Sequence, residues 1–139
     1  MAVTNPVPHG LLQCAEFIET ERQTLLTIAD TDMQNVSKQI AKGITKVMLS
    51  PQANFAVKYN NYLTQFAKGA IKGIDMYDDM QSDIQRLQDS LKRMLHTIDQ
   101  FIGPSAFKTQ VTTHIINMRV ALSNISMTAK HKKENQINN

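Results

Sequence analysis

Residues 52–102 read QANFAVKYNNYLTQFAKGAIKGIDMYDDMQSDIQRLQDSLKRMLHTIDQFI, and the spacing of apolar side chains in this stretch decides the fold class. Tyr59, Phe66, Gly73, Met80, Leu87, Met94 and Phe101 recur every seven residues. Leu63, Ala70, Tyr77, Ile84, Leu91 and Ile98 follow the first six of them at a distance of four. A 3.5-residue period keeps one stripe of an α-helix turned toward a neighbouring helix. The stretch therefore predicts helix with coiled-coil-like packing over 51–102. A single helix of that length would span ~75 Å at ~1.5 Å per residue.

Gly69 and Gly73 interrupt the side chains but not the phase. Two readings stay open. Each glycine costs ~1 kcal/mol relative to alanine inside a helix, which makes a hinge. Equally, the missing side chains would let another helix approach closely. Lys68 and Lys72 leave the segment too polar for the membrane-dimer meaning of this motif.

Upstream, Ser50-Pro51 marks a boundary, with serine as a cap and proline at a first helical position where no amide partner is lost. The region 10–49 before it carries an early stripe (Leu11, Ala15, Ile18, Leu25, Ala29) and a later one (Met33, Val36, Ile40, Ile44, Val47). Both have helical spacing. Asp30-Thr31-Asp32 lies between them, and Thr31 with Gln34 has the form of a capping box, so one helix or two, broken near 30–32, are both allowed. Downstream, Gly103-Pro104-Ser105 ends the heptad helix, and Ser105 is placed to cap a last helix over 105–130. There Val111, Met118 and Ile125 alternate with Ile115, Leu122 and Ala129. Residues 1–9, with Pro6 and Pro8, read as an extended arm, and 131–139 as a flexible polar tail.

Short connections make successive helices antiparallel. The expected fold is all-α: an elongated antiparallel three- or four-helix up-down bundle with coiled-coil-like packing, one domain within 139 residues. The flanking helices would cover opposite halves of the middle one. That leaves Tyr59, Leu63, Phe66, Met80, Ile84, Leu87 and Leu91 as an exposed seam for a protein partner or a second copy. Eight methionines suit an adaptable surface and a core alike.

The net charge of +3 is distributed in blocks. Residues 1–32 hold five acids and one base, whereas 33–73 hold Lys38, Lys42, Lys46, Lys58, Lys68 and Lys72 and no acid. A hairpin at Ser50 would gather those lysines at a basic tip able to bind anions, and would bring Arg22 near Asp78 and Asp79. Phe55, Tyr59, Tyr62 and Phe66 interleave with the lysines as a single-strand stacking platform would. Two of them also occupy seam positions, which points to core packing. The block holds no arginine, the residue best suited to bidentate phosphate recognition.

Catalytic signatures are lacking. Asp75, Asp78, Asp79 and Asp83 crowd one segment without metal-binding spacing and read as a solvated acidic face. The four histidines and Cys14 show no ligand spacing. No phosphate-binding loop, dinucleotide glycine pattern or nucleophile–base pair occurs. The chain is accordingly expected to be no enzyme and to need no cofactor. A lone cysteine forms no internal disulfide, the first ten residues lack the features of a signal peptide, and no run reaches the ~18 apolar residues of a membrane span. A cytoplasmic protein is expected, with export by a signal-less route left open.

Glu21-Arg22, Leu25-Leu26, Asp30 and Lys42 resemble the opening helix of bacterial hook-junction export chaperones, small helical bundles of similar length. The resemblance covers about thirty residues. It implies a secretion-linked chaperone or a secreted helical subunit, although this chain is more basic than that group. The functional expectation is a non-catalytic protein–protein interaction module: adaptor, chaperone or self-assembling subunit. The alternative is a nucleic-acid or anionic-surface binder using the lysine block and the Lys130–Lys133 tail.

Overall fold

A computed structural model of the chain describes residues 7–30, 35–68 and 74–137. These form helices joined by short connections, with no strand among them. The helices are α1 (Leu11–Ala29), α2 (Asn35–Met48), α3 (Phe55–Ala67), α4 (Ile74–Phe101) and α5 (Ala106–Ile137), with a short 3-10 turn at Pro51–Ala53 between α2 and α3. The region 10–49 thus contains two helices, and the Thr31–Gln34 capping box lies outside the described residues.

Local chemistry is visible at the end of α2 and the start of α5. Ser50 is extended (φ −68°, ψ 153°), as the residue before a proline prefers. Its hydroxyl does not cap forward, as expected from the sequence, but donates back to the Val47 carbonyl at 2.6 Å, adding to the bond which that carbonyl accepts from the Ser50 amide at 3.1 Å. Arg22 reaches the same helix end and donates to the Met48 carbonyl at 3.2 Å. Ser105 does cap α5, its hydroxyl accepting the Lys108 amide at 3.1 Å. α5 then continues through residues 131–137, read from the sequence as a flexible tail. The Lys133 ammonium lies 4.2 Å from the Tyr77 ring centroid and holds that end against α4.

Pairs of contacts fix the directions. Glu21 meets His114 and Pro8 meets Asn124, so α1 and α5 run antiparallel. Gln81 bonds Ser126, Gln88 bonds Arg119, and Asp99 pairs with Lys108, so α4 and α5 do too. α1 packs mainly on α5 and also touches α2 and α3, while α4 packs on α5, α2, the 3-10 turn and α3.

One expectation needs correcting. Tyr59 and Lys58 of α3 both contact Asp83 of α4. In one continuous helix over 51–102 those residues would be ~36 Å apart. α3 and α4 are therefore separate helices lying side by side, and the heptad stripe of each faces a shared interior. Gly69 and Gly73, the proposed hinge or close-packing pair, lie outside the described residues.

The core gathers both stripes with those of α1 and α5 around Ile18, Leu25, Leu63, Leu87, Leu91 and Met118, all fully enclosed. Along α3 the rings of Phe55 and Tyr59 (5.0 Å between centroids) and of Tyr62 and Phe66 (5.4 Å) pack in tilted and stacked pairs. Replacing Leu91 by alanine removes a fully buried side chain from this interior. It should lower stability by about 2–5 kcal/mol, read as a fall in the urea midpoint at constant m-value.

Candidate partner-binding site

The residues expected to form an open seam sit inside. Tyr59, Leu63, Phe66, Met80, Ile84, Leu87 and Leu91 all belong to the core, none more than 4% exposed. The heptad pattern correctly marked a face that must be covered, but the chain itself covers it. These seven side chains therefore offer no docking surface.

Nor do the lysines converge. Lys38, Lys42 and Lys46 are exposed and recur once per turn along the outer side of α2. Lys58 turns away from them and pairs with Asp83 at 2.7 Å, its ammonium 5.2 Å from the Tyr59 ring centroid. Lys68 is exposed just past the end of α3, and Lys72 lies outside the described residues.

Asp83 is a buried carboxylate bonded across to α3. The Tyr59 hydroxyl and the Lys58 ammonium donate to one oxygen, and Arg86 lies 3.7 Å from the other. Burial works against the charge. The bonds from Lys58 and Tyr59 and the nearby cations outweigh it, holding the carboxyl below its ordinary range. Burial, then the bond to Asp83, pushes the Tyr59 phenol up to about 12. Tyr62 is also raised to about 12, chiefly by burial, and its hydroxyl finds no partner among the described residues. The remaining members of the predicted acidic face, Asp78 and Asp79, are exposed. The side chain of Asp75 is outside the described set.

Other polar side chains also tie helices together. Arg22 forks onto both oxygens of Glu19 at 2.6 and 2.8 Å, and so is engaged within α1 rather than near Asp78 and Asp79. His114 Nδ1 lies 2.5 Å from buried Glu21. The Cys14 thiol donates to the Pro8 carbonyl at 3.0 Å, and burial raises its pKa, which lowers its nucleophilic fraction. Among the described residues no three His, Cys, Asp or Glu side chains cluster as a metal site. No described helix is long and apolar enough to cross a membrane.

Two outer features remain. The first is a groove between α2 and α4 of about 250 Å³, lined by Gln39, Ile40, Gly43, Val47, Ser90, Arg93, Met94 and Thr97. The second is the outward side of α5, where Ile116 is 47%, Val120 42% and Met127 70% exposed. Neither follows from the heptad pattern. For the groove, the available signal was Gly43 between Ile40 and Val47. For α5, it was the near-absence of charge from Thr109 to Ala129, where Arg119 stands alone apart from His114. No protein-family model matches the chain, and neither does any curated protein or solved structure.

The Asp83 shell carries a pH signature. With a lowered folded-state pKa, its stabilisation is complete above the unfolded carboxylate value of ~4 and is lost as pH falls through the lower folded value. Asp83→Asn should cost about 1–2 kcal/mol at neutral pH, and urea titrations should show that difference shrinking below pH ~4. For Tyr59 and Tyr62 the sign is opposite: their contribution is present below ~10 and lost as pH rises toward about 12. Ultraviolet titration should show these two phenols ionising only near that upper value.

Proposed function

We propose that this chain is a non-catalytic helical protein–protein interaction module that self-associates, in the manner of an adaptor, a secretion-type chaperone or an assembly subunit. The bundle reads as four antiparallel lanes, with α2, the 3-10 turn and α3 acting together as the lane between α1 and α4. The buried acids Asp83 and Glu21 serve to join helices in this reading, and no catalytic role is assigned to them.

One observation carries the proposal. α5 lacks a charged outer face over the span where Ile116, Val120 and Met127 reach solvent. A surface helix normally sets charged residues opposite its apolar stripe, and one that is apolar all round belongs in an interior. Ile116 and Val120 are one turn apart and Met127 two turns on, which makes a stripe rather than scattered exposure. The occupant proposed is a second copy. A stripe without charge can lie antiparallel on itself about a two-fold axis near Val120, with none of the like-charge repulsion that a +3 chain meets elsewhere. Arg119 at the flank is drawn aside, donating to Gln88 Oε1 at 2.9 Å.

Nucleic-acid or anionic-surface binding is the second reading, favoured by the exposed row of Lys38, Lys42 and Lys46. The engagement of Lys58 with Asp83 weakens it. Salt separates the two, because phosphate binding falls steeply with ionic strength while apolar pairing barely responds.

Sedimentation velocity is expected to show a concentration-dependent dimer for the parent chain. Val120→Glu should be a monomer with unchanged helicity and an unchanged urea midpoint. A parent chain that stays monomeric at all accessible concentrations would overturn the proposal.

A further inference from the structure

We infer that the groove between α2 and α4 is a docking site for an amphipathic helix of a partner protein, one carrying carboxylates along the flanks of its apolar stripe. This site is separate from the α5 face, because the α4 residues lining it lie on the opposite flank from Gln81 and Gln88, which bond α5.

The floor is apolar, built from Ile40, Val47 and Met94. Gly43 deepens it: a Cβ placed there would meet no atom within 4 Å, so the space above the backbone is open. From Ile40 to Val47 the groove runs two helical turns, about 10 Å. Its volume of about 250 Å³ falls below the ~300–1,000 Å³ of pockets that enclose small-molecule ligands. A short, open, apolar trough of this kind suits the anchor side chains of a docked helix, spaced at i, i+3 or i+4, and i+7.

Charge selects the occupant. Arg93 stands in the groove wall and, among the described residues, its guanidinium reaches only the Ser90 hydroxyl, at 3.4 Å. Lys42 and Lys46 are exposed on α2 beside it, and α2 contains no acid. None of these three cations has an ion-pair partner among the described residues. Of the acids on α4 near the groove, Asp89 accepts a bond from Gln85 at 3.0 Å and Asp99 pairs with Lys108 at 3.2 Å, and neither lies within ion-pair distance of Arg93, Lys42 or Lys46. An apolar trough edged by unpaired cations favours apolar anchors flanked by Glu or Asp, and rejects the same anchors flanked by Lys.

The test uses two fluorescein-labelled synthetic peptides of about four helical turns. Both carry leucines at heptad spacing, one with glutamates on the flanks and the other with lysines. Fluorescence anisotropy with the full chain should show the glutamate peptide binding at least about tenfold more tightly than the lysine peptide. Gly43→Leu fills the trough and should weaken the glutamate peptide by at least about tenfold, while its urea midpoint stays equal or rises. Arg93→Glu should invert the preference between the peptides. Equal binding of both peptides, failure of both, or binding unaffected by Gly43→Leu would overturn the inference. So would tight binding of single-stranded oligothymidylate that Gly43→Leu leaves unchanged, which would assign the cations to nucleic acid. The monomeric Val120→Glu variant should retain glutamate-peptide binding, so failure of self-association leaves this result standing.

Discussion

Asp83 accepts the Tyr59 hydroxyl and the Lys58 ammonium from the neighbouring helix, and that shared carboxylate sets how α3 lies on α4. The contact is nearly enclosed, with Lys58 reaching it from the solvent side. Its geometry admits one register, because sliding α3 by a turn would leave a buried carboxylate without its donors, a costly state. Once α3 is fixed, the rings of Phe55, Tyr59, Tyr62 and Phe66 fill the space between α1 and α4, and α5 closes the remaining side. The polar links Gln81–Ser126 and Gln88–Arg119 hold the α4–α5 register in the same way.

Much of this could be read from residue spacing, and the failures share one cause. The 3.5-residue period identified which side chains on α3 and α4 are buried, and the structure encloses those it describes apart from Phe101 at the end of α4. Periodicity says that a face is covered and not by what. A straight rod facing a partner and two antiparallel helices facing each other produce the same pattern. The phase running on through residues 69–73 therefore could not distinguish them. The boundaries at Ser50-Pro51 and Gly103-Pro104-Ser105 were legible because proline and a capping serine act within one turn. The partner of Arg22 was not, since it depended on the fold-back: Glu19, one turn away, and the Met48 carbonyl took the place of Asp78 and Asp79.

The fold-back also moves the functional question from the interior to the outside. With the heptad seam consumed, the apolar surfaces that remain include the outer side of α5 and the trough beside Gly43, along with single exposed side chains such as Val57 and Phe101. The first is nearly free of charge, whereas the second is edged by cations without an ion-pair partner among the described residues. Such a division suits a module that pairs with its own copy on one face and with a differently charged helix on another. In the proposed arrangement, stability and recognition draw on different residues. Substitutions at Val120, Met127 or Gly43 can therefore alter binding without reaching the core.

The most direct measurement is a pulsed electron–electron distance between spin labels at exposed Asn60 and Ser82, in a Cys14→Ala background. With α3 packed antiparallel on α4 through Asp83, the labels should lie within about 20 Å of one another. A distance near the ~33 Å of a continuous helix would contradict the account, because the seam would then be open and the surfaces described here would not be the ones left to bind.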